Sequence, residues 1–434
     1  MKTIRLSKDN IENLLDDLLK RGPNNYDDYI DVVTKIVNDV KTEKDEAIFK
    51  YTKDFDKAKI NAGNILVTKE EIREAYKLVD DELLQVIRRA IVNIKAYHEK
   101  QKQYGWFDSQ PNGTILGQKV TPLHRVGVYV PGGKAAYPSS VLMNIIPAKV
   151  AGVDDIIMTT PPGADGKVTP ETLVAANEAG ADYIYKVGGA QAIGALAFGT
   201  QSIPKVDKIV GPGNIFVALA KKSVYGYVDI DSIAGPSEIL VIADDSANPR
   251  FIAADLLSQA EHDELASAIL ITTSETLAKE VLKEIEDFAD VLSRKAILKK
   301  SLENYGYILI AETMKEAIDA ANEIASEHVE IVTRNPFEVM TKIRNAGAIF
   351  LGEFSSEPLG DYFAGPNHVL PTNGTAKFFS PLSLDDFIKK SSVIYYSKEA
   401  LMPIKDDVIR FANAESLTAH ANSIKVRFEN NIER

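Results

Sequence analysis

Four of the six histidines in this 434-residue chain stand beside acids or amides, in four short segments of its second half. In order they are Ser258-Gln259-Ala260-Glu261-His262-Asp263, Ser326-Glu327-His328-Val329-Glu330, Gly360-Asp361 through Asn367-His368, and Glu415 to His420. Histidine next to carboxylate is the pairing that a metal site or a proton-transfer site uses. Cysteine is absent, which excludes disulfides, thiolate zinc sites and cysteine nucleophiles. Two His, one Asp and one Gln would suit Zn²⁺, which takes nitrogen and oxygen donors where no thiolate is offered.

Taken singly, each segment has two readings. Gln259 and His262 stand three residues apart near the end of an expected helix and reach one point in space; a polar, exposed helix end has the same spacing. Glu327-His328 falls where a helix gives way to a strand, at the mouth of a sheet, a common place for a general base. A histidine at the negative end of a helix dipole would look the same. Asp361 and His368 flank a Gly/Pro-rich irregular loop, a setting that favours function. His420 lies in an expected helix with Glu415 before it, and alone it reads as a surface histidine. His98 and His124 have no such setting and read as structural.

Three glycine turns follow expected strands: Tyr129-Val130-Pro131-Gly132-Gly133, Val187-Gly188-Gly189-Ala190-Gln191 and Val210-Gly211-Pro212-Gly213-Asn214. Such turns place helix N-termini where anions bind. None is the dinucleotide fingerprint. The nearest, Gly189 to Gly194, carries Gln191 where the middle glycine should let a pyrophosphate approach. Phosphate or nucleotide binding in a non-standard mode is one reading; glycine as plain turn punctuation is the other.

The elements that must position these residues follow from periodicity. Residues 9–103 repeat apolar side chains at helical spacing, with a long helix over 83–104, and 112–123 reads as a hairpin. From Arg125 strands and helices alternate. Strands are expected at 126–130, 155–160, 183–187 and 208–210, then in a second series at 239–242, 268–273, 307–311, 329–333 and 348–351. Alternation of this kind means parallel sheets covered on both faces. A tail from 383 holds a short strand (393–396) and then helix. The length calls for two or more domains at about 100–200 residues each, and 45% hydrophobic content supports a sizeable core. A formal charge of −12 argues against nucleic acid or an anionic membrane as partner. No uncharged apolar run reaches the roughly 18–20 residues that span a bilayer. Residues 1–7 lead into an amphipathic run with no apolar core of signal-peptide length, so a cytoplasmic, reducing compartment is expected.

Together the four histidine segments resemble the histidinol dehydrogenase family. So do Gly127 to Gly133, Val210 to Asn214 and Asp231-Ser232-Ile233-Ala234-Gly235-Pro236-Ser237-Glu238. The ordered set, spread over nearly the whole chain, carries the resemblance. It implies an α/β fold with two incomplete Rossmann-like parallel-sheet domains, a helical N-terminal segment and a small C-terminal tail domain. The expected division is 1–25, 26–125 plus 238–382, 126–237 as the NAD-contacting domain, and 383–434. The implied activity is zinc-dependent oxidation of L-histidinol to L-histidine through the aldehyde with two NAD⁺. Gln259, His262, Asp361 and His420 would hold Zn²⁺, and all four would border the substrate. Glu327 and His328 would move protons, with His328 also touching substrate. Ser237, His368 and Glu415 would contact substrate; Tyr129, Gln191 and Asn214 would contact NAD. The family is a homodimer whose tail crosses to the partner, so Glu415 and His420 would complete the other subunit's site. Ser416 departs from the pattern where glycine is expected, and Phe363 and Pro366 vary a loop.

The residue inventory fits that chemistry. Without cysteine a thiohemiacetal route to the acid is closed, so Glu327 acting as base on water fits a hydrated-aldehyde route. Missing fingerprint glycines imply a cofactor held without the usual pyrophosphate grip. A zinc hydrolase on the same scaffold is the alternative, but it leaves the glycine turns idle. A regulatory nucleotide-binding protein should show a damaged ligand set, and every expected position is filled.

Overall fold

The computed structural model describes residues 1–21, 27–132, 136–289 and 291–429. Gly133 of the first glycine turn, and the expected boundary at residues 25 and 26, lie outside the described residues. In chain order the strands are β1 (Lys2–Arg5), β2 (Trp106–Ser109), β3 (Ile115–Pro122), β4 (Arg125–Tyr129), β5 (Asp155–Thr160), β6 (Tyr183–Lys186) and β7 (Lys208–Val210). They continue with β8 (Asp229–Ile230), β9 (Glu238–Ala243), β10 (Ser267–Thr272), β11 (Gly306–Ile310), β12 (His328–Val332), β13 (Ala348–Leu351) and β14 (Ile388–Tyr395).

Two compact units form: Met1–Gln101 with Leu123–Phe387, and Lys102–Pro122 with Ile388–Arg434. The first holds two parallel sheets, β1-β11-β10-β9-β12-β13 and β6-β5-β4-β7-β8. The expected α/β class with two parallel sheets is therefore what the chain adopts. In the larger sheet Ile239 and Val241 pack with Leu256, Leu257 and Val281 on one face. Leu240 and Ile242 pack with Leu14, Leu18 and Ile318 on the other. Strands buried on both faces read as continuous apolar runs rather than as alternation, and each such side chain contributes about 1.5–3 kcal/mol by burial.

The N-terminal segment is not purely helical. Lys2–Arg5 pairs with β11 as a parallel edge strand, although three of its four residues are exposed. A short exposed strand has no apolar pattern to betray it, because its pairing runs through the backbone. The helices Asp27–Glu43 and Asp45–Phe55 pack Val37, Val40 and Ile48 against Ile193 and Leu196 beside the five-stranded sheet. Ile87 and Ile94 of the helix Asp81–Glu99 join Val126, Val128 and Val141 on its other face. The stretch 26–125 thus serves the five-stranded sheet up to Glu99, and 102–122 belongs to the second unit. The hairpin begins earlier than 112, because Trp106–Ser109 pairs antiparallel with β3.

The second unit joins β2, β3 and β14 in an antiparallel sheet, followed by the helices Lys405–Ala414 and Thr418–Lys425. Between those helices Ser416 takes a left-handed φ of 60°, a conformation that glycine adopts without steric cost.

Gly211, directly after β7, has φ 112°, and a β-carbon there would stand 2.0 Å from the Tyr129 carbonyl oxygen. Only glycine lets the ends of β4 and β7 approach this closely. Gly226 has φ 96° with nothing within 4 Å of a β-carbon. Gly211→Ala should cost about 3 kcal/mol or more by urea denaturation, against about 1 kcal/mol for Gly226→Ala. Equal costs would refute the close-approach account.

Candidate active site

A cleft of about 1080 Å³ opens between the carboxyl edge of the five-stranded sheet and the amino edge of the six-stranded sheet. Tyr129, Gln191 and Asn214 line it from the first edge. Ser237, Gln259, His262, Glu327, His328, Asp361 and His368 line it from the second. The general expectation that ligands sit at the carboxyl ends of strands therefore holds for one sheet only. The Glu327-His328 pair enters at the start of β12.

Local sequence explains that entry. Thr313 caps the helix Met314–Ile324, accepting from the Glu316 N–H at 3.2 Å. Ala325 ends it in a left-handed conformation, φ 54°, so the chain turns through Ser326-Glu327 straight into β12. Parallel pairing sets His328 beside Ile239, which brings Glu238 to both side chains. The Glu238 N–H donates to Glu327 Oε2 at 2.9 Å, and His328 Nδ1 donates to the Glu238 carbonyl at 2.9 Å. With Nδ1 protonated, neutral His328 keeps its lone pair on Nε2, which stands 4.0 Å from Asp361 Oδ1. Burial holds His328 below the ordinary histidine range. Burial first, then the neighbouring Glu238, Asp361 and Glu357 carboxyls, pushes Glu327 well above the usual carboxylate range.

Beside this pair lies an acid-rich pocket. His262, Glu357 and Asp361 offer ligand atoms that all lie within 4.8 Å of one another. Burial and the adjacent Glu357 push Asp361 up to about 8. Gln259 is 1% exposed, and neither atom of its amide has a hydrogen-bond partner in the structure. A buried amide left this way is costly unless something polar or ionic fills the gap. A divalent cation taking oxygen and nitrogen donors fits the set, and its charge would return the carboxyls toward ionisation. His368 donates from Nδ1 to the Asp361 carbonyl at 3.1 Å, and burial lowers it to about 4.

Glu357 was not among the residues that the sequence singled out. It opens the short helix Glu357–Tyr362, accepts from Ser258 Oγ at 3.1 Å and donates its N–H to Glu330 Oε1 at 2.8 Å. It has no histidine neighbour, which is why pairing with histidine missed it. Its place four residues before Asp361 on a helix is the signal that could have found it.

On the opposite edge Tyr129 is buried, accepts from the Gly189 N–H at 3.2 Å, and is raised to about 12 by desolvation. Gln191 is 1% exposed with Oε1 lacking a partner. Asn214 caps the helix Ile215–Val224, its Oδ1 accepting from Phe216 and Val217. Glu415 and His420 belong to the second unit, are exposed, and are not among the cleft-lining residues. His98 is fully buried and pairs through Nδ1 with Gln101 Oε1 at 2.8 Å.

The two edges differ in sign. Helices Pro249–Ala260 and Met314–Ile324 end at the acid-rich wall, and helix C-termini favour cations. Helices Gly189–Phe198 and Ile215–Val224 begin at the other wall, and helix N-termini favour anions. A carboxylate–histidine cluster that could hold a metal ion, and a buried imidazole, face a wall of helix N-termini across a cleft with room for a nucleotide-sized ligand, the layout of an α/β enzyme. The histidinol dehydrogenase family model matches residues 19–428. The histidinol dehydrogenase of Clostridium acetobutylicum is 59% identical over 400 residues, covering 92% of each chain. That of Bacillus subtilis is 58% identical over 395 residues, covering 91% of this chain and 92% of its own. The crystal structure of histidinol dehydrogenase from Elizabethkingia anophelis superposes with a TM-score of 0.93 at 41% identity, covering 98% of each chain. The chain belongs to the histidinol dehydrogenase family and is an oxidoreductase of histidine biosynthesis. The hydrolase alternative is not favoured. Among the described residues no helix is long and apolar enough to cross a membrane.

His262→Asn should weaken the binding of added Zn²⁺ at least about tenfold, measured by titration calorimetry; unchanged affinity would refute a metal role for the cluster. With Asp361 raised to about 8 by burial and Glu357, a cation bound there competes with its proton below that pH. Zinc affinity should therefore rise with pH up to about 8 and level off above, with proton release seen by calorimetry in two buffers. A raised carboxyl also costs the metal-free fold stability as pH climbs from its unfolded value through about 8. The melting temperature should fall over that window, and zinc should restore it.

Proposed function

We propose that the protein carries out a zinc-dependent, four-electron oxidation of L-histidinol to L-histidine through L-histidinaldehyde, reducing two NAD⁺ in turn. The observation that carries the reading is the fixed imidazole: Nδ1 of His328 is tied to Glu238, and Nε2 stands open beside the Asp361 carboxyl. When bound, Zn²⁺ would supply a Lewis acid anchoring the substrate's imidazole and amine, and NAD⁺ would supply the hydride acceptor. Gln259, His262 and Asp361 would hold the metal, with Glu357 at their side, and His420 would come from the tail.

His328, neutral at physiological pH because burial lowers it, takes the substrate hydroxyl proton at Nε2. Glu327 serves the second half, in which water adds to the aldehyde. Its carboxyl is raised in part by the neighbouring Asp361 and Glu357. Positive charge among those acids brings it back toward ionisation, which ties its action as a base to the loaded pocket. Ser237 and His368 border the substrate, while Tyr129, Gln191 and Asn214 form the cofactor wall within 126–237. The orphaned Oε1 of Gln191 supports a ligand there. With no fingerprint glycines the cofactor is held loosely enough to exchange between half-reactions; a Kd far below the micromolar range would contradict this.

The tail 383–434 exposes Glu415 and His420, and we read it as completing the site of a second copy in a homodimer, within the reducing cytoplasm. Mixing inactive His420→Ala and His328→Ala proteins should then regain activity; no recovery would count against the exchange. Zinc-loaded protein with L-histidinol should yield two NADH per histidine formed. In Glu327→Gln the aldehyde step should fall by about 10²- to 10⁴-fold, more than the alcohol step. Equal loss in both steps would remove the assigned division of labour.

A further inference from the structure

We propose that Arg21 is a positioning residue for the proton-transfer pair: through a buried ion pair with Glu238 it fixes the one residue whose backbone holds both Glu327 and His328. The proposal rests on the reading of Glu327 and His328 given above.

Glu238 is used three ways. Its N–H holds the Glu327 carboxyl, its carbonyl takes the His328 Nδ1 proton, and its carboxylate meets Arg21 Nη2 at 2.6 Å. The side chains of the ion pair are 0% and 3% exposed. Both backbone polar groups of this first residue of β9 thus go to side chains at the cleft. Glu238 pairs with Ser267 of β10 on one side, but its ladder with β12 begins only at Ile239, so on the side of the pair the anchoring of its own side chain helps to fix its backbone.

Arg21 is built to be that anchor. Its Nε donates to the Leu18 carbonyl at 3.3 Å and its Nη1 to the Leu265 carbonyl at 2.7 Å. The guanidinium lies 5.1 Å from the centre of the Tyr305 ring. Three acceptors in three directions are met by one planar fork, which a lysine ammonium on a flexible stem does not reproduce. The arginine therefore ties the end of the helix Lys8–Leu19, the loop before β10 and the start of β9 to one point. A buried ion pair is weak as a source of stability, since well-packed apolar residues often do as well. What it supplies here is geometry. The tautomer of His328 depends on the Glu238 carbonyl staying within hydrogen-bond reach, and that carbonyl depends on the carboxylate of its own residue.

The test compares Arg21→Met, Arg21→Lys and the double variant Arg21→Met/Glu238→Gln, which leaves no unpaired buried charge. Each is measured for kcat, KM for L-histidinol, bound zinc and the His328 tautomer by ¹⁵N-histidine NMR, assigned with His328→Gln. Arg21→Met should lower kcat at least about tenfold with KM and zinc content changed less than about twofold. His328 should lose its single Nδ1–H tautomer. Lysine should rescue in part, and the double variant should regain melting temperature without regaining kcat. If the double variant recovers both, or if Arg21→Met keeps the wild-type tautomer and kcat, the pair is only structural and the proposal fails. Failure of the wild-type protein to oxidise L-histidinol would instead sink the assigned activity, and the tautomer comparison would still stand.

Discussion

Carboxyl groups kept out of water dominate this molecule. Glu238, Glu327, Glu330, Glu357 and Asp361 gather at the amino edge of one sheet, each nearly or fully buried. Burial raises Glu327, Glu330 and Asp361 above the ordinary carboxylate range, and neighbouring carboxyls raise them further. Glu327 and Asp361 therefore hold their protons more tightly than exposed carboxyls do, a cost the fold carries beside a cluster that could bind a metal ion. The parallel pairing of β9 with β12 makes the gathering possible, since it aligns Glu238 with Glu327 and His328 in a single step of the ladder.

The arrangement behind the site continues the same theme. On β12, His328 and Glu330 share a face two residues apart, and Glu330 is raised well above its ordinary range by burial and by Asp255. Asp255, on the helix Pro249–Ala260, is itself pushed up to about 6, chiefly by desolvation. The Glu330 carboxyl accepts the N–H of Glu357, so the acid at the start of one helix is held by the acid in the middle of a strand. Polar groups this deep stay only when satisfied, and the unpartnered amide of Gln259 stands out against them.

Much of this was legible in the chain. The alternation of strand and helix after Arg125 gave the two parallel sheets because continuous apolar runs such as Ile239 to Ile242 have only one way to be buried on both faces. Three of the four histidine segments converge because Gln259, His328 and Asp361 each sit at or near an element's end beside the same edge. The legible part stops where information is carried by the backbone or by distance. Lys2–Arg5 is a strand only because β11 offers it partners. The helices 27–99 declare their apolar faces but not which sheet receives them. Glu357 is marked only by its four-residue spacing from Asp361, which needs the helix to be known first. Arg21 looks like any arginine after an amphipathic helix and cannot be singled out without the fold that closes around it.

The opposed signs of the two cleft walls have an energetic consequence. Helix C-termini turn the negative ends of their dipoles to one wall and helix N-termini turn the positive ends to the other, so an electric field crosses the cavity between them. A negative charge lies lower in energy against the wall of helix N-termini than against the acid-rich wall. The scaffold sets that preference before any ligand arrives.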